Sequence, residues 1–250
     1  MKRYKLSLLL LCFTFTFLTC PDEEGTWTDW IFRLAYDFDI SNGRLYTAST
    51  NQVKAFSLDD PAAPDLLGSE PMDRSLNRLF ISDNLGIVNG NLNSGAFSIN
   101  ANGVPNTVHQ DNGLFDGCSP IVANESHFFA LINVITGCGG SVSNNGNVLR
   151  IVPKALPLPS EASVTDIQVA DPQGLALAGD LLFVADGLSG LKIFSIADLQ
   201  NIQLLAQRSD LVAQRVQVSE GLLSLVTNDR LMVFDYANVA QLQLLSEIPL

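Results

Sequence analysis

At 250 residues, with 47% apolar and 16% charged side chains, the chain has enough hydrophobic material to fold as one sizeable domain. That composition excludes an intrinsically disordered chain, which could not bury enough apolar surface to offset its conformational entropy. A formal net charge of −12 argues against nucleic acid and anionic headgroups as partners, since both are held by basic patches.

The chain begins with a basic stretch, Lys2, Arg3 and Lys5, then an apolar run from Leu6 to Leu18, then Cys20 after the small residue Thr19. Thirteen residues are short for a membrane span, which needs roughly 20, so residues 1–19 are expected to be a signal peptide. The box Phe17-Leu18-Thr19-Cys20 resembles the end of a bacterial lipoprotein signal, although the commonest form has Leu in place of Phe17 and Gly, Ala or Ser in place of Thr19. The resemblance implies cleavage before Cys20 and lipidation of that cysteine. Secretion with cleavage elsewhere and a retained helical anchor are the alternatives. Cleavage would remove the three basic residues and take the formal charge to −15.

Residues 20–32 are expected to form a tether. Its acidic run Asp22-Glu23-Glu24 is either a solvated spacer or, by resemblance, the signal that sends lipoproteins of Bacteroidetes-type bacteria to the cell surface. Trp27, Trp30 and Phe32 follow, as a plug packed on the domain or, alternatively, a sugar-stacking platform.

From about residue 33 the chain repeats. Phe56 to Leu67 aligns without a gap with Phe194 to Leu205 and with Phe234 to Leu245. Each copy is preceded by an apolar run, at Leu45-Tyr46-Thr47, Leu182-Phe183-Val184 and Leu223-Ser224-Leu225. Weaker copies at Leu79 to Ile81 with Gly95 to Ile99, and at Phe128 to Ile132 with Leu149 to Val152, fill the middle. The equivalent positions Phe56, Phe97, Val152, Phe194 and Phe234 lie 41, 55, 42 and 40 residues apart. One unit is therefore about 41 residues, with an insertion of about 14 in the third.

The fourth unit shows the pattern best, with strand-length runs at Gly174 to Ala178, Leu181 to Ala185, Leu191 to Ile196 and Gln203 to Gln207, separated by turn residues. Leu199, Ile202 and Leu205 recur every three residues as in a helix. The first copy, however, holds Pro61 and Pro64 in the equivalent segment, so turn then strand is expected throughout. The middle runs are bulky on both faces, which suits a sheet covered on both sides. Four strands per unit of this size is the dimension of a propeller blade. The expected fold is all-β, a five-bladed β-propeller of four-stranded blades at about 33–72, 73–111, 112–164, 165–210 and 211–250. Phe32 to Ile40 would supply the first inner strand, and the first and last blades would close by contact. A β-solenoid is the rival architecture.

Gly174-Leu175-Ala176-Leu177, Leu182 to Gly187, Gly190 to Ile196 and Leu204-Leu205 resemble the LVIVD repeat, a bacterial extracytoplasmic repeat proposed to form β-propellers. The order of lipoprotein signal, Cys118-Ser119-Pro120, Cys138-Gly139-Gly140 and strong repeat is similar to a group of LVIVD-repeat lipoproteins of Bacteroidetes. This implies an architecture and a location in the cell envelope, as an outer-membrane lipoprotein that is a candidate for surface exposure. The family has no well-defined activity to carry over.

The candidate chemistry is sparse. Cys118 and Cys138 flank the third-unit insertion and, in an oxidising compartment, are expected to form a disulfide. Zinc is the alternative, but His109 and His127 do not stand at ligand spacing to them. His109 is expected in a loop and His127 at a strand start, with no triad around either. Asp37 and Asp39 alternate on one strand and could both face a central channel, with Asp116 as a further weak carboxylate candidate. Asp166, Asp171 and Asp186 read as turn residues capping nearby backbone donors. The sequon at Asn124-Glu125-Ser126 is taken as chance. No catalytic residue, metal or cofactor is expected. The leading expectation is a monomeric, membrane-tethered binding module for a protein or glycan. A hydrolase or lyase using channel-mouth carboxylates is the alternative, and a purely structural envelope component is a third reading.

Overall fold

Alternation of side chains along short strands determines how this domain is assembled, because each strand in the middle of the chain feeds two hydrophobic cores. The structure is a computed structural model and describes residues 35–49, 51–72, 76–90, 94–110, 114–115, 120–133 and 146–250, all within the unit Leu34–Leu250. The described strands form five antiparallel sheets of four.

The first sheet is β1 (Ala35–Ser41), β2 (Arg44–Ser49), β3 (Gln52–Ser57) and β4 (Leu66–Pro71). The second is β5 (Leu76–Ser82), β6 (Leu85–Gly90), β7 (Ser94–Ile99) and β8 (Pro105–Gln110). The third contains β9 (Ile121–Ala123), β10 (His127–Ile132), β11 (Val148–Pro153) and β12 (Thr165–Gln168). The fourth is β13 (Gly174–Ala178), β14 (Leu181–Ala185), β15 (Leu191–Ser195) and β16 (Gln203–Arg208). The fifth is β17 (Arg215–Ser219), β18 (Leu222–Val226), β19 (Arg230–Asp235) and β20 (Gln243–Pro249). Within every sheet the strands neighbour one another in chain order.

Two local devices recur. The first hairpin of the first, second, fourth and fifth sheets closes on two residues, as in Ser41 paired with Arg44 and Ser219 paired with Leu222. Asn42-Gly43 and Glu220-Gly221 supply the positive φ angles, 50° and 70° then 49° and 83°, that such a tight turn requires. The second device is an irregularity in strand pairing at the repeated phenylalanine. Register shifts fall between Ala55 and Phe56, Phe97 and Ser98, Ile193 and Phe194, and Val233 and Phe234. A bulge there adds local twist to the two outermost strands.

The cores lie between sheets. Tyr46, Ala48, Val53 and Ala55 of the first sheet meet Leu79, Ile81, Val88 and Phe97 of the second. Ile87 and Ala96, on the opposite side of the second sheet, meet Phe128, Ala130 and Ile132 of β10. The intervening residues Phe129 and Leu131 of β10 turn the other way and meet Leu182 and Val184 of β14. Phe183 and Ala185 then join Leu223, Leu225, Met232 and Phe234 of the fifth sheet. Runs such as Leu182-Phe183-Val184-Ala185 are apolar throughout because successive residues belong to different cores.

The sequence-based boundaries need three adjustments. Strand β12 pairs with β11, so the third sheet extends to Gln168 rather than stopping at residue 164. His109 lies in β8, opposite Ala96, rather than in a loop. The fifth copy of the turn-then-strand segment includes a short 3-10 turn at Val239–Gln241. Closure by contact between first and last sheets finds no seam comparable to the other four among the described residues. On the face of the fifth sheet turned away from the fourth, Leu222 is 43% exposed and alternates with polar Gln217, Ser219 and Ser224. Alternation of this kind is that of a sheet with one wet face.

Candidate functional site

The two carboxylates singled out on β1 share one side of the strand, as alternation requires, and both reach across the first seam. Asp37 accepts from the Leu79 backbone N–H at 2.9 Å and Asp39 from the Ile81 N–H at 2.7 Å. Their second oxygens accept from Phe38 N–H and Ile40 N–H at 3.0 and 2.8 Å. The pair thus ties β1 to the free edge of β5. Burial raises the Asp39 carboxyl above the usual aspartate range, against the two backbone N–H bonds that lower it, and the Asp37 charge adds to the rise. Asp116, Cys20, Cys118 and Cys138 lie outside the described residues, as do Trp27, Trp30 and Phe32.

The hairpin turns at the same end of the first and second sheets border a cavity of about 290 Å³. Asn42 and Arg44 come from the first turn and the start of β2, with Tyr46 behind them. Asp83 and Asn84 come from the β5–β6 turn and Asn100 from the end of β7. Ile99 adds an apolar patch. Gly103, at φ 79°, supplies the space in which the Arg44 side chain lies, because a Cβ there would stand 2.0 Å from Arg44 Nε.

The electrostatics of this cavity are one-sided. Among the described residues the Arg44 guanidinium and the Tyr46 hydroxyl have no hydrogen bond or ion pair with the chain, although Tyr46 is only 2% exposed. Burial pushes the Tyr46 hydroxyl above its ordinary range, and the Arg44 charge pulls the other way, so it remains a donor at neutral pH. The Asn100 carbonyl is engaged by the Asn102 and Val104 backbone N–H groups, which leaves its NH₂ available. The acidic member, Asp83, is already paired, since Lys154 Nζ donates to Asp83 Oδ2 at 2.6 Å.

Lys154 reaches this place from the end of β11. Its ammonium also donates to Ser82 Oγ at 2.9 Å and to the Asn124 carbonyl at 3.0 Å, and lies 5.7 Å from the centre of the Phe128 ring. Three acceptors satisfy three donors, which permits a lysine side chain only 5% exposed. In the adjoining β9–β10 turn, Asn124 Oδ1 accepts from the Ser126 and His127 backbone N–H groups, which accounts structurally for the asparagine of the sequon. His127 begins β10 as expected, and its Nδ1 is 2.8 Å from Ser126 Oγ. Burial lowers the affinity of its ring for a proton. Among the described residues no carboxylate is bonded to that ring, so the serine and histidine form a turn contact and lack the third group of a triad.

Two further ionic groups hold the structure. Asp186 is fully buried and caps backbone donors as expected, but on the linker before its own sheet. It accepts from Ala170 and Asp171 N–H and pairs with Lys192 at 2.5 Å. Asp166 is a correction: it lies on strand β12, where Arg150 donates Nε and Nη2 to its two oxygens, each at 2.8 Å. Arg150 stands on β11, where only the polar interruption in Leu149-Arg150-Ile151 hinted at it, and Lys154 follows the last residue of that strand. The cavity residues come from three separate turns, so sequence spacing had no means of grouping them. Among the described residues no cluster of three or more His, Cys, Asp or Glu side chains is placed to hold a metal ion, and no helix is long and apolar enough to cross a membrane.

Five four-stranded antiparallel sheets packed face to face in chain order, all β, define the architecture of a β-propeller. Solved propellers share it: the chain superposes on Hsv2 of Kluyveromyces lactis with a TM-score of 0.56 at 11% identity, covering 86% of this chain and 64% of that one. AztD of Citrobacter koseri gives 0.57 at 12% identity over 84% and 61%. Hsv2 of "Kluyvelomyces marxianus" gives 0.57 at 10% identity over 86% and 62%. The chain therefore spans a little over three fifths of the length of these propellers, and at such identity the likeness concerns the fold alone. The sequence matches no family model and no curated protein.

Proposed function

We propose that the protein is a non-catalytic binding propeller, tethered to the cell envelope, that captures a glycan or protein ligand at the turn end of its first two sheets. The observation that carries this reading is the cavity where Arg44 and the Tyr46 hydroxyl face open space without partners among the described residues. Unsatisfied donors in a concave site are what a ligand-binding surface presents. The alternative, a hydrolase or lyase working through β1 carboxylates, is less well supported, because Asp37 and Asp39 already bind the Leu79 and Ile81 N–H groups. The test is a surface pull-down and glycan array with the full-length protein. Specific capture supports the binding reading, and turnover of any captured glycan would replace it with the enzymatic one.

The rest of the proposal concerns location. On the sequence, the chain is an LVIVD-repeat lipoprotein of Bacteroidetes type, lipidated at Cys20, held at the outer membrane and stabilised by a Cys118–Cys138 disulfide. Palmitate labelling of the wild type against Cys20→Ala tests the anchor, and an unlabelled wild type would refute it. Alkylation mass analysis with and without reduction tests the disulfide.

A further inference from the structure

A guanidinium that is half-buried and unpaired among the described residues is unusual in a chain of net charge −12, where carboxylates outnumber cations. Two buried cations of the third sheet are engaged, Lys154 by Asp83 and Arg150 by Asp166. Arg44 alone of these three points its fork into a cavity, laid across Gly103. A planar fork of this kind matches a carboxylate through two parallel hydrogen bonds.

The remaining lining decides what the carboxylate is attached to. Around Arg44 stand the Tyr46 hydroxyl, the NH₂ of Asn100 and the side-chain amides of Asn42 and Asn84, which have no hydrogen bond with the described residues. Amides and a phenol both donate to and accept from hydroxyl groups, whereas only Ile99 offers an aliphatic surface. About 290 Å³ is near the lower limit for small-molecule sites, enough for a single sugar ring. Asp83 does not repel an incoming anion strongly, since its charge is compensated by Lys154 at 2.6 Å.

We infer that this cavity is a subsite for a polyhydroxylated carboxylate of the uronic acid class, with Arg44 holding the carboxylate and Tyr46 and the three asparagines holding hydroxyl groups. The assignment rests on the binding reading above and narrows it to one acidic sugar residue, free or at the end of a chain. Steric room for Arg44 is set by Gly103, which makes that glycine a positioning residue.

The experiment is calorimetric titration of the full-length protein in detergent with glucuronate, glucose and acetate. Glucuronate is expected to bind saturably, with glucose and acetate each at least about tenfold weaker. Arg44→Gln is expected to weaken glucuronate by at least about tenfold, and Tyr46→Phe, which keeps the ring in the core, by about fivefold. A circular-dichroism melt checks that each variant is folded. If Arg44→Gln unfolds the protein, Gly103→Ala serves as the second variant and is expected to weaken glucuronate by displacing Arg44. Absence of saturable glucuronate binding, binding unchanged in the folded variants, or acetate binding as tightly as glucuronate overturns the assignment. Glycan-array capture that persists in Arg44→Gln overturns it too, while leaving the binding reading standing.

Discussion

Asp39 and Ile81 join two sheets that share no strand pairing: the Asp39 carboxylate accepts the Ile81 backbone N–H at 2.7 Å across the first seam. Removing the acceptor with Asp39→Ala leaves a donor at the β5 edge unsatisfied and is expected to cost about 1–2 kcal/mol in denaturant unfolding. Asp39→Asn keeps an acceptor and removes the charge. Because the folded-state value lies above the ordinary 3.8, the folded protein binds the proton more readily than the unfolded chain does. The Asp39 contribution to stability is therefore greatest at low pH and falls as pH rises through the folded value. Asp39→Asn should thus gain on wild type between pH 4 and pH 7, and unfolding curves that keep a constant offset would contradict this.

Arg150 and Asp166 should behave as a unit. With 2% and 12% side-chain exposure, breaking the pair by Asp166→Ala strands a buried guanidinium and is expected to cost about 3–5 kcal/mol. Replacing both by apolar residues should cost much less than the two single changes combined. Additive losses in a double-mutant cycle would count against the pair being coupled.

Lys154 ties the third sheet to the turn of the second. Lys154→Met keeps much of the buried stem but removes three hydrogen bonds, and a loss of about 1–3 kcal/mol is expected. Since Asp83 is 68% exposed on its side chain, water can take over its solvation. The readout is a urea unfolding midpoint, and a midpoint equal to that of wild type would show the ammonium to be dispensable.

Gly86 lies under Phe97. A Cβ at Gly86 would come within 2.0 Å of Phe97 Cζ, and Phe97 is fully buried, so Gly86→Ala should destabilise the second sheet by about 1–3 kcal/mol. Gly86→Ala combined with Phe97→Leu should recover part of that loss. A neutral Gly86→Ala in thermal melts would mean the ring moves freely.

What the sequence conveyed and what it did not divide along physical lines. Spacing of Phe56, Phe97, Phe194 and Phe234 marked the repeat because each occupies the same place in its sheet, beside a bulge. Unbroken apolar runs such as Leu182 to Ala185 signalled two covered faces. Strand β12 escaped because it is only four residues long, with exposed ends and Asp166 in the middle. Asp37 and Asp39 share one side of β1, as alternation requires, but the partners the fold supplies are backbone groups 42 residues away, which no local pattern conveys. Tyr46 was legible only as part of the apolar run of β2, because only the packing of neighbouring sheets brings Arg44 and Tyr46 of that strand beside Asn84 and Asn100.

The four cores in series also govern how the domain comes apart. Each core joins only two adjacent sheets, so stability is close to a sum over neighbours, as in a linear array, and is not the property of one shared interior. Among the described residues the fifth sheet shares in a single core, with β20 exposed along its whole length. Loss of order therefore has a direction: β17–β20 can fray while the cores of the first four sheets stay dry, and the Arg44 cavity lies in the seam farthest along the chain from that end.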